Sequence, residues 1–161
     1  MNVGRAFLAG VVGGIVMSIG LAMGRAMGMP ANLEMMLGTM LLEPGTAAFM
    51  VGMVMHLMIS GLIALIYAWG FETLTHRSSA LIGAGFGFIH ALIGGMVMGM
   101  MPMMHPLIPE MMPAPGAFMS NLGMMGVLAE FVLHILYGAV VGAIYIPTLV
   151  RRPAQATAQT I

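Results

Sequence analysis

The chain has no cysteine, no lysine and no aspartate. Without cysteine there is no disulfide, no thiolate metal site and no thiol redox chemistry. Without lysine a phosphate-binding loop of the Gly-x-x-x-x-Gly-Lys type is excluded. Without aspartate no aspartyl-phosphate can form, so a primary pump is ruled out within this chain. Nothing resembles a nucleophile elbow or a zincin helix, and an enzyme acting alone is not expected. Charge is also scarce. Charged residues make up 6% of the 161 residues and the net charge is zero. A soluble domain carries about 25%, so a soluble protein is excluded, and the neutral balance argues against nucleic acid as a partner.

What remains is apolar: 60% of the residues are hydrophobic. The charges divide the chain into uncharged runs, each with the ~20 residues that a membrane-spanning helix needs. Four transmembrane helices are predicted, at about 4–27, 47–71, 79–101 and 121–148. The first is too long for the apolar core of a signal peptide and is taken as uncleaved. Arg5, Arg77, Arg151 and Arg152 fall on one side of these spans and only Arg25 towards the other. The positive-inside rule then places both termini in the cytoplasm of a bacterial-type inner membrane. Tyr67, Trp69 and Tyr145 are expected in an inner aromatic belt. One transmembrane domain covers 1–153, and the polar tail 154–161 is expected to be disordered.

The two halves of the chain match. His56 precedes an Ile-Tyr pair ending at Tyr67, and His134 precedes one ending at Tyr145 at the same spacing. Gly10, Gly14 and Met17 fall opposite Gly83, Gly87 and His90. The sequence therefore predicts a tandem duplication of a two-helix hairpin, about 4–76 and 77–150, folded as an all-α four-helix bundle. Small residues recur at four-residue spacing: Gly10/Gly14, Gly20/Gly24, Gly83/Gly87, Gly95/Gly99 and Gly138/Gly142. Such spacing lets helix backbones approach closely in lipid, either within the bundle or between copies of it.

A polar layer is expected at mid-membrane. Counting up each helix at ~1.5 Å per residue, Met17, His56, His90 and His134 reach nearly one depth. Histidine in hydrocarbon is costly and turns inward to a partner. Such a layer offers imidazole and thioether ligands to Cu(I), or two axial imidazoles to a haem b. It also fits plain hydrogen bonding, with each His donating to a carbonyl or to Ser60 or Tyr137. Glu130 shares a helix face with His134 and is a candidate to orient it, take a proton or balance a cation. Pairing of Glu130 with Arg25 is the plainer alternative.

Methionine is the residue in excess. Of 23, eleven lie in 17–58 and eleven in 91–132, the halves predicted to face outside. The densest run holds Met96, Met100, Met101, Met103, Met104 and His105, with Pro102 expected to break the helix. A soft thioether kept to one side points to Cu(I) or Ag(I), which it binds without carrying charge. Methionine also makes adaptable packing surfaces and oxidant sinks. Three readings follow. The first is a copper-binding protein for transport or delivery. The second is a non-catalytic accessory subunit of a larger membrane enzyme complex, or a homo-oligomer. The third is a haem b or quinone-binding protein.

Overall fold

In lipid every backbone polar group has to be paired within its own segment, so long apolar runs become helices. The structure is a computed structural model that describes residues 1–147. The expectations for Arg151, Arg152 and the tail, and the end of the fourth span, lie outside the described residues. Four helices are long and apolar enough to cross a membrane. Helix α1 is Val3–Ala26, and a short α2 follows at Leu33–Gly38. Helix α3, Thr46–Gly70, continues into a π-helical turn at Phe71–Thr75. Helix α4 is Ala80–Met104, and α5, Gly123–Ile144, is preceded by a 3₁₀ turn at Ala117–Leu122. No strand occurs among the described residues.

Local chemistry sets the helix starts. Asn2, Asn32 and Ser79 each accept a backbone N–H from the first turn of α1, α2 and α4, a standard N-cap role. Helix α4 runs through Pro102 to Met104, where the sequence predicted a break. The proline lies in the last turn, so the helix loses a single backbone bond there.

The long helices alternate in direction, and α3 packs on α1, α1 on α5 and α5 on α4. At one end the termini of the helices meet. Arg5 donates to the Ile144 carbonyl at 3.0 Å, Tyr145 donates to Glu72 at 2.8 Å, and Ser78 donates to the Tyr145 carbonyl. Here Tyr67, Phe71, Tyr137 and Tyr145 form a buried aromatic plug, with Phe86 packed against it. Tyr67 and Tyr145 therefore turn inward rather than joining an interfacial belt; only Trp69 of that trio is exposed. At the other end lie α2 and the methionine-rich loops.

The glycine pattern resolves into contacts inside the bundle. Gly10 and Gly14 face Ser60 on α3, and Gly20 faces Leu133 on α5. Gly83 and Gly87 interlock with Gly138, and Gly83 also with Gly142. Gly95 receives the Phe118 ring, Gly99 meets Ala117, and Gly24 meets Met29. Two further glycines escaped the sequence pattern. A Cβ at Gly38 would strike the Ala48 backbone, and one at Gly52 the Glu34 backbone, so α2 lies backbone-to-backbone on α3.

Candidate functional site

Helices α3 and α4 touch near the aromatic plug, through Tyr67, Gly70 and Phe71 against Phe86, and Tyr67 against His90. Towards the methionine end a cavity of about 380 Å³ lies within the bundle. Met17, His56, His90 and His134 all line it, as the depth count predicted. Glu130, Ser60 and Tyr137 line it too, and the rest of its wall is mainly apolar. Ile59 of α3 and Ile93 and Val97 of α4 line the cavity and are also 39, 54 and 39% exposed. The cavity thus comes close to the surface along the seam between α3 and α4.

The three imidazoles are held alike. The Nδ1 of His56 meets the Ser18 hydroxyl at 3.0 Å, and that of His90 meets the Tyr67 hydroxyl at 3.1 Å. The Nδ1 of His134 donates to the Glu130 carbonyl at 2.7 Å. A carbonyl can only accept, so Nδ1 carries the proton in neutral His134, and Nε2 offers a lone pair. None of the three Nε2 atoms has a hydrogen-bond partner among the described residues. Metal-binding histidines are fixed in this way, through the nitrogen that does not bind. The partners Ser18 and Tyr67 were not foreseen from sequence, because they act across helices.

The rings of His90 and His134 lie edge to face with centroids 4.5 Å apart. That contact leaves no room for a macrocycle between them, so this pair is not arranged as the two axial ligands of a haem. Among the described residues, no three histidine and acidic side chains stand close enough to hold one metal ion.

Glu130 is 3% exposed, and its Oε1 has no hydrogen-bond partner. That oxygen is 3.5 Å from Nδ1 of His134. Arg25, the alternative partner, pairs instead with buried Glu34 at 3.0 Å. The side chain of Glu130 therefore stays committed to the chamber. Gly94 faces it: a methyl group there would stand 3.2 Å from both Glu130 Oε1 and His134 Nε2. Nothing in the sequence pattern marked Gly94, since its neighbours come from α5.

The methionines divide into two sets. Met96, Met100, Met103 and Met104 are exposed, Met103 by 86%, on the outer face of α4. They do not line the chamber. Met101, 5% exposed, turns inward and packs with Met36, Ile108, Met98 and Met112. Two buried thioethers, Met36 of α2 and Met101 of α4, thus meet two half-buried ones, Met98 of α4 and Met112 of the loop between α4 and α5. Three of them, Met36, Met98 and Met112, also line the chamber and form its roof. His105 fastens this roof. Its Nε2 donates to the Met36 carbonyl at 2.8 Å and its Nδ1 accepts from Leu107 N–H at 3.1 Å. With both nitrogens engaged, His105 is a strut for the loops and not a free ligand.

The left-handed pair Phe118 and Met119 completes the wall. Both have positive φ, 54° and 57°, a costly conformation outside glycine. It seats Phe118 against Gly95 and in a stack on Phe131, and it turns Met119 to the chamber.

No curated protein and no solved structure matches the chain. Over residues 1–156 the chain matches the pattern of a family of unknown function, DUF6789, and it belongs to that family.

Proposed function

We propose that this membrane protein takes up Cu(I) or Ag(I) at its methionine-rich end, for transport or for delivery to a neighbouring membrane enzyme. The observation that carries the reading is the convergence of buried Met36 and Met101 with half-buried Met98 and Met112 above a chamber of anchored imidazoles. Thioethers are soft and neutral, and Cu(I) accepts two to four such ligands. Met17 and Met119 continue the sulfur lining downward, and the Nε2 atoms of His56, His90 and His134 lie beyond. Glu130 would balance the charge of the ion. The distribution of arginines supports an orientation with both termini in the cytoplasm, so that the roof faces outside. The aromatic plug closes the far end of the chamber. A closed far end favours holding and delivery over open conduction.

The two methionine sets provide the test. Met-to-Leu changes roughly conserve volume and are well tolerated in cores. Purified protein would be titrated anaerobically with Cu(I) against a competing chelator. Leucine at Met36, Met98, Met101 and Met112 together is expected to abolish stoichiometric binding. Leucine at Met96, Met100, Met103 and Met104 is expected to leave it intact. A wild-type protein that binds no Cu(I), or equal losses in both variants, would remove the copper reading.

A further inference from the structure

Below the sulfur roof the chamber has a different chemistry, and it bears on a ligand that reaches it from the bilayer. The floor next to Gly94 presents Glu130 Oε1 and His134 Nε2 side by side. The first is a buried polar atom without a partner. The second is a lone pair, because the ring proton is engaged on the Glu130 carbonyl. A polar atom buried without a partner is costly, so a protein that retains Glu130 Oε1 in this state in hydrocarbon has a use for it. The walls above this pair are apolar. On the side between α3 and α4 the lining residues Ile59, Ile93 and Val97 are exposed apolar side chains of spanning helices, which offers a ligand in the lipid a way in. A volume of about 380 Å³ sits at the lower end of the ~300–1,000 Å³ of small-molecule pockets.

We infer that the chamber binds an apolar ring compound bearing a phenol-type hydroxyl, of the isoprenoid quinol class, drawn sideways from the bilayer with its hydroxyl on Glu130 and His134. A hydroxyl is the group that meets both atoms. It donates to the imidazole lone pair, and its oxygen accepts from the carboxyl if that is protonated. A quinone carbonyl can only accept, so it leaves His134 Nε2 unpaired. The floor therefore prefers the reduced ring. This site shares Glu130 and His134 with the copper reading but needs neither the thioether roof nor a metal, so metal-free protein tests it separately.

The test uses purified full-length protein, treated with a chelator so that no metal contributes. Binding of decylubiquinol is measured anaerobically with reductant present, and that of decylubiquinone and of a phospholipid of matched chain length in parallel without reductant. Decylubiquinol is expected to bind at least tenfold more tightly than decylubiquinone, and the phospholipid not to compete. His134→Phe is expected to lower quinol affinity at least tenfold and to erase the preference for the reduced ring. Ile59→Trp, at the exposed seam, is expected to block binding without touching the floor. It keeps the test decisive should the His134 variant fail to fold. Solvent extracts of the untreated protein are expected to contain a quinol or quinone in stoichiometric amount. No binding of either ring compound, no preference between them, or an extract holding only phospholipid would overturn the inference.

Discussion

In the first hairpin Gly10 lies against Ser60, Gly61 and Ala64; in the second Gly83 lies against Gly138 and Gly142. Setting His56 on His134 brings Ser60 and Ala64 into register with Gly138 and Gly142, and Tyr67 with Tyr145. Each hairpin thus closes by the same close approach of backbones at equivalent positions. The chamber level is where they part. The first hairpin has Gly52 at the position of Glu130, and α2 lies on it through the Glu34 backbone. The second hairpin has no counterpart of α2 and carries the carboxyl. The first has Met17 where the second has His90. One hairpin supplies the lid and a thioether; the other supplies an acid and a second imidazole. At the positions this alignment pairs, the two hairpins carry different side chains, and the candidate site lies where they differ.

The comparison breaks first at the glycines. Gly10→Leu and Gly83→Leu each force a side chain into a neighbouring helix that has little room to yield. Overpacking of this kind costs up to about 3 kcal/mol, or more against backbone. Both variants are expected to lose the folded bundle in detergent, as read by thermal melting or steric trapping. Tolerance of one and not the other would show that the two hairpins do not close alike.

A smaller difference separates the two buried acids. Glu34 holds the Arg25 guanidinium at 3.0 Å, whereas Glu130 faces the imidazole of His134 at 3.5 Å. Arg25→Ala leaves a buried carboxyl without its partner and is expected to cost about 3 kcal/mol. Glu130→Gln removes no ion pair and is expected to change stability by less than about 1 kcal/mol. Thermal unfolding of the two variants under one detergent checks the contrast. A large loss on Glu130→Gln would mean that this acid supports the fold and not the chamber.

The smallest effect sharpens the comparison at the tyrosines. Tyr67 reaches across to His90 of the other hairpin, while Tyr145 bonds Glu72 at the plugged end. Tyr67→Phe and Tyr145→Phe should each cost about 1 kcal/mol. Only Tyr67→Phe is expected to move the imidazole nitrogen resonances of His90 in NMR. Equal shifts in both variants would mean that the plug and the chamber are not separate.

Much of the architecture was legible in the chain. Uncharged runs of spanning length admit one structure in lipid, and four of them with short links make a bundle, so composition and charge spacing were enough for the four long helices, though not for the run of α4 through Pro102. Depth was legible as well, because rise per residue is constant, and this put Met17, His56, His90 and His134 at one level. Rotation about each helix was not. These helices are apolar nearly all round, so no amphipathic stripe says which methionine turns inward; Met101 does, while Met96, Met100, Met103 and Met104 do not. Partner choice was equally hidden. Ser18 for His56, Tyr67 for His90, Glu34 for Arg25, and the bare face of Gly94 beside Glu130 and His134 all depend on which residues from distant segments share a height and an angle. Such facts arise from packing between helices, and spacing along one chain carries no record of them.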